Sequence, residues 1–244
     1  MLTACQARLL SAFSIIRLEL LLYSQGTNAD FCTWALKLNK VFPSHPEIYS
    51  VMKDIIKRGI NKDGFLIAEI RLNAISSSII NYASANEYYL TDVINLKLKD
   101  KKILKRGLDL KNISVNKFDI AEYDSIEDLR NKYIKQLASE FSRGELWTKK
   151  ILNASKLFNL SFDKNLPLIR SIDSIWEHRN MLAHLNKRFH LPIKIIDLSG
   201  TELQFSDLSS DEKYFELCIC LLEIMKRGVD YIGNFEKEIF KKWH

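Results

Sequence analysis

The spacing of apolar residues between Asp63 and Leu98 limits what this chain can become. Leu66, Ile70, Ala74, Ile75, Ile79, Ile80, Ala83, Tyr88, Val93 and Ile94 recur with the interval of one buried helical face. That reading predicts one long helix over the whole stretch. Small residues in "NYASANEYYL" leave room there for close helix contact. Turn punctuation is scarce elsewhere too: the 244 residues include 8 Gly and 4 Pro. Sheets usually need more of both, so helices are favoured throughout.

The remaining chain divides at its breakers. Helices are predicted over 2–24, 29–41 and 45–58, separated by "GTN", with Asn28 as a cap, and by "PSHP", and ended by "RGIN". After the long helix, "KLKDKKILKRGLDLKN" is dense in Lys and Arg. It reads first as a solvated helix end and loop, and second as a patch contacting phosphates. Residues 113–125 are polar, with room for a short strand at 113–120. Ser125 caps a helix over 126–142, and another follows over 145–159. Pro167 suits the first position of a helix over 167–188. The break at 190–210 can hold a short hairpin, and a last helix begins at Asp207 or Ser209 and runs to about Lys241. The expected architecture is an all-α antiparallel helical bundle. Residues 1–60 form a helical N-terminal extension and residues 61–244 the main domain.

Apolar residues make up 47% of the chain, enough for a core without covalent staples. Cys5, Cys32, Cys218 and Cys220 form no CxxC pair, and Cys218 and Cys220 point to different helix faces. No disulfide framework and no zinc site is implied, and reduced thiols fit a cytoplasmic protein. Arg8, Arg17 and Glu19 interrupt the apolar N-terminus, so neither a signal peptide nor a membrane span is expected. The net charge of +6 is compatible with an anionic partner without identifying one.

The chemistry concentrates in "WEHRNMLAHLNKR", residues 176–188. A helix turns by roughly 100° per residue, so Asn180 and His184 share a face, and the long Arg179 side chain can lean toward it. An imidazole that titrates near neutrality can serve as base or acid. A guanidinium offers fork-like donors to phosphoryl oxygens, and an amide can orient either group. Those types suit RNA cleavage through the ribose 2′-hydroxyl, which needs no metal. One helix supplies one histidine, whereas acid and base roles call for two groups. A two-fold dimer would supply the second. Lys187 and Arg188 follow the motif and are candidates for backbone contact with RNA, with His190 close behind. His178 reads as a surface or supporting group. Glu87 is either a partner of the arginine or a plain surface charge. Trp147, Trp176 and Trp243 read as core or interface anchors. The alternative throughout is a surface helix whose polar residues serve no site.

"RNMLAH" resembles the Arg-Asn-x-x-x-His form of the motif of HEPN domains. "AISSSIINYASANEYYLTDVI" is similar to their long early helix, and "FSRGELWTKKILNASKLFNLSF" to the middle segment of the RiboL-PSP and MAE_28990-like branches. The helix from 209 onward is similar to the closing helix. The resemblance covers about residues 65–240. It implies a HEPN-type bundle and a metal-independent endoribonuclease acting as a homodimer with a composite site, without a cofactor. Arg179, Asn180 and His184 would be its catalytic residues, and toxins and antiphage effectors its setting. An antitoxin or regulatory protein is a partner the resemblance allows. Two departures stand out. Asn186 replaces a Tyr found in relatives controlled by adenylylation, and Leu185 replaces a Gly that often follows the His. Some HEPN domains are inactive and bind RNA, nucleotide or protein, which is the alternative function.

Overall fold

The computed structural model describes residues 14, 16, 65–113, 123, 125–185 and 192–243. Of these residues 76% are helical, in six long elements and one two-stranded hairpin. The helices are α1 (Phe65–Leu98), α2 (Lys101–Lys111), α3 (Ile126–Ser142), α4 (Trp147–Phe158), α5 (Pro167–Leu185) and α6 (Asp211–Lys242). Strands β1 (Ile193–Ile196) and β2 (Glu202–Phe205) lie between α5 and α6. The all-α expectation holds at this level. The helices expected over 2–24, 29–41 and 45–58, and nearly all of the strand expected over 113–120, lie outside the described residues. Ser14 and Ile16 are helical, and Ile16 is buried in the same core as the bundle.

Helix α1 is the spine, packing against α2, α3, α5 and α6. Its buried face includes Ala74, Ile75, Ile79, Ala83, Val93 and Ile94, six of the ten residues whose periodicity predicts it, joined by Tyr82 and Leu90. Tyr88 and Ile80 were read into that face but point outward, at 76% and 39% exposure. Trp147 and Trp176 are fully buried, as the anchoring role requires, and truncating either would cost about 3–5 kcal/mol. Trp243 is half-buried and donates its indole N–H to the Phe158 carbonyl at 2.9 Å. Among the described residues, no helix is long and apolar enough to cross a membrane.

The basic stretch after α1 departs from its first reading as a solvated helix end and loop. It folds as α2, because Asp100 accepts from the Lys102 N–H at 2.7 Å and so caps the new helix. Ile103 and Gly107 turn into the core. Several cations here complete helix ends. Arg106 donates to the Leu157 and Lys156 carbonyls at the end of α4, and Lys97 donates to the Trp243 carbonyl past the end of α6. Helices α2 and α4 both finish on an asparagine in the left-handed region, Asn112 at φ 51° and Asn159 at φ 55°. The next residue's N–H then reaches back to close the turn, Ile113 to Leu108 and Leu160 to Ser155. Ser125 caps α3 as predicted, whereas α6 is capped by Ser210 rather than Asp207 or Ser209.

The hairpin pairs Ile193 with Phe205 and Ile196 with Glu202 in antiparallel register. Ile193, Ile195 and Phe205 face the core. Helix α5 covers the edge of β1 with polar groups. The Ser174 hydroxyl accepts from the Ile196 N–H at 3.2 Å, and the Ser171 hydroxyl donates to the Asp197 carbonyl at 2.6 Å. His178 belongs to this stripe, so of the surface and supporting roles read for it the surface one fails. It is 6% exposed, and its Nε2 lies 2.6 Å from the Lys194 carbonyl. One flank of α5 is thereby committed to sealing a strand edge that would otherwise leave backbone groups unsatisfied.

Candidate functional site

The other flank of α5 carries Arg179 and Asn180, both half-buried. Arg179 Nη1 donates to Asn180 Oδ1 at 3.1 Å. Asn180 Nδ2 in turn donates to the Glu145 carbonyl at 2.7 Å, tying α5 to the loop between α3 and α4. Arg179 Nη2 meets Glu87 Oε2 from α1 at 3.1 Å. Glu87 is therefore a partner of the arginine rather than an idle surface charge, which decides between the two sequence readings.

Glu87 has a second cation. Lys150, in the first turn of α4, places Nζ 3.0 Å from Glu87 Oε1, while the same ammonium lies 3.4 Å from the Ser142 carbonyl. The two oxygens of one carboxylate thus engage two cations from two different helices. Lys150 is 8% exposed. A charge removed from water to that extent is tolerated when it is paired and hydrogen-bonded.

These groups line an open pocket of about 390 Å³, together with Arg143, Gly144 and Glu145. Three cations and two carboxylates border it, leaving one positive charge in excess. The walls need Gly144 where it is. A β-carbon there would stand 2.9 Å from Lys149 Cβ and 3.2 Å from the Lys150 backbone nitrogen, forcing the loop away from α4. Helix α4 is held from outside as well. Its N-cap residue, Leu146, supplies no side-chain cap, and Asp173 of α5 substitutes by accepting from the Thr148 N–H at 2.9 Å and from the Thr148 hydroxyl.

Of the predicted residues, the structure brings Arg179 and Asn180 together at the pocket mouth. Helix α5 continues through Leu185, so His184 follows Asn180 by one helical turn, as the motif's spacing requires. The His184 side chain, Lys187 and Arg188 lie outside what is described. Lys150 was missed, although its signal was present. It falls among Trp147, Ile151, Ala154 and Phe158, the buried stripe of α4, and a lysine at an apolar stripe position calls for a buried partner. Arg143 and the Glu145 carbonyl carried no such signal.

The arrangement is suited to holding an anion beside a guanidinium whose orientation is fixed on two sides. Among the described residues thiol chemistry is not offered: burial pushes Cys218 and Cys220 up to about 11, which keeps both protonated at neutral pH. Among the described residues, no group of three or more His, Cys, Asp or Glu is placed to hold a metal ion. No family model, no curated protein and no solved structure matches this chain.

Proposed function

We propose that this chain is an endoribonuclease of the HEPN type that cuts RNA by 2′-hydroxyl attack without a metal, as a cytoplasmic toxin or antiphage effector. One observation carries the reading: Arg179 is held by Asn180 and Glu87 at the edge of an open pocket, on the helix that carries His184 one turn further on. A guanidinium that Asn180 already orients can meet charge as it develops on a phosphoryl group with little reorganisation.

In this mechanism one His184 takes the 2′-OH proton as the oxygen attacks the adjacent phosphorus. Arg179 stabilises the extra negative charge on the phosphoryl oxygens, and Asn180 keeps its fork oriented. A second His184, from a second copy across a two-fold axis, returns a proton to the departing 5′-oxygen. The products are a 2′,3′-cyclic phosphate and a 5′-hydroxyl. Lys187 and Arg188 hold the neighbouring backbone. Lacking a 2′-OH, DNA is not a substrate.

The competing reading, an inactive HEPN domain that only binds RNA or a partner, draws on the same ion pair, because Glu87 engages the guanidinium that would serve catalysis. Incubation with total cellular RNA in EDTA, followed by mapping of both new ends, decides between them. The proposal expects cyclic-phosphate and 5′-hydroxyl ends that vanish in His184→Ala. RNA bound but uncut, or equal cutting by His184→Ala, overturns it.

A further inference from the structure

Glu87 presents Oε1 to Lys150 at 3.0 Å and Oε2 to Arg179 at 3.1 Å. A phosphodiester would present its two non-bridging oxygens to two such cations in much the same way. We propose that Lys150 and Arg179 are the two prongs of a clamp for one phosphodiester, and that Glu87 fills the clamp as an internal counter-anion until RNA displaces it. This rests on the reading that the pocket takes RNA, and it adds Lys150 and Glu87 to the residues that govern binding.

Three features favour it. First, both cations line the same open pocket, so an incoming anion can reach them. Second, neither is used up. Lys150 Nζ has three N–H bonds, and the contacts to Glu87 and the Ser142 carbonyl engage two. Arg179 has five, and those to Glu87 and Asn180 engage two. Third, the charge balance depends on Lys150. Arg179 with Glu87 alone is a neutral pair, and Lys150 leaves the trio with one positive charge. A more buried, less screened cation also attracts an anion more strongly than a solvated one.

Binding can be measured apart from cutting with a short 2′-O-methylated oligoribonucleotide, which has no free 2′-hydroxyl and cannot be cleaved. Fluorescence anisotropy at several salt concentrations gives affinity and the number of phosphates engaged. Lys150→Met keeps the length and apolar stem of the side chain. It should weaken binding by on the order of tenfold at low salt and reduce the salt slope by about 0.7, the value for one phosphate on a single strand. Lys150→Arg should keep both near wild type, which a merely structural lysine would not require. Glu87→Gln removes the resident anion and should tighten binding several-fold. It also serves if Lys150→Met does not fold.

Wild-type slope and affinity in Lys150→Met, weaker binding in Glu87→Gln, or no binding of the probe by the wild type overturns the clamp. The two proposals can fail separately. If RNA is cut but Lys150→Met binds and cuts normally, only the clamp falls. If no RNA is cut but binding depends on Lys150 as stated, the clamp stands and the nuclease reading falls.

Discussion

Arg179 and Glu87 are ninety-two positions apart in sequence and 3.1 Å apart in space. Asn180 holds the neighbouring nitrogen of the same guanidinium. An arginine free on a surface helix samples many rotamers. This one is held by the Asn180 amide as well as by Glu87, and the amide stays in place if Glu87 is displaced, so part of the entropy of fixing it is spent during folding.

Replacing Arg179 by lysine keeps the charge and loses the fork. An ammonium is a point donor and cannot lie between Asn180 and Glu87 as a planar group does. Arg179→Lys should cut RNA on the order of a hundredfold more slowly, the size of effect seen when one oriented donor to a transition-state oxyanion is lost. The thermal midpoint should stay near wild type, because the side chain is half-exposed. Rate and melting curves on the same preparation check both halves.

Asp173 should matter for stability more than its half-exposed position suggests. It caps α4 from another helix, where Leu146 provides nothing. Asp173→Ala leaves the Thr148 N–H without that partner and should cost about 1–2 kcal/mol. Chemical denaturation measures this directly. An unchanged midpoint would mean that water caps the helix equally well.

Gly228 sits in α6 where a β-carbon would collide with the buried Tyr82 hydroxyl and lie 3.1 Å from Ile172 Cδ1. Alanine normally gains about 1 kcal/mol over glycine inside a helix. Here overpacking outweighs that gain, and Gly228→Ala should destabilise by about 1–3 kcal/mol. Among the described residues the Tyr82 hydroxyl makes no hydrogen bond within normal distance, so Tyr82→Phe should be nearly neutral alone and should restore much of the loss in the double variant. A double-mutant cycle in denaturant gives the coupling.

His178 predicts a pH dependence. Burial lowers its pKa from the usual 6.5, against a smaller opposing influence of the Lys194 carbonyl. The unfolded chain therefore binds more protons than the folded one below pH 6.5, and stability rises with pH across that interval. The contribution is complete above pH 6.5 and is lost as pH falls toward and past the lower folded value. Melting temperatures from pH 7.5 to 5 should decline, and His178→Gln, which keeps a donor for the Lys194 carbonyl but does not titrate, should decline less. Parallel curves for the two proteins would assign the dependence to other groups.

Of the described helices, all but α2 were legible in the amino-acid order by itself. Periodic apolar positions set α1, Ser125 set the start of α3, Pro167 set that of α5, and the break after α5 left room for the hairpin. Each of these is a local preference, expressed within one turn or one strand, and so it is readable along the chain. It also put Arg179 and Asn180 side by side and His184 one helical turn further on. Tertiary structure alone decided what those residues meet. Glu87, Lys150 and the Glu145 carbonyl come from different elements, and nothing local fixes which helix faces pack together. The same packing turned His178, next to Arg179 in sequence, onto the hairpin instead. A rotation of roughly 100° between adjacent helical residues separates the flank that seals the sheet edge from the flank that opens on the pocket.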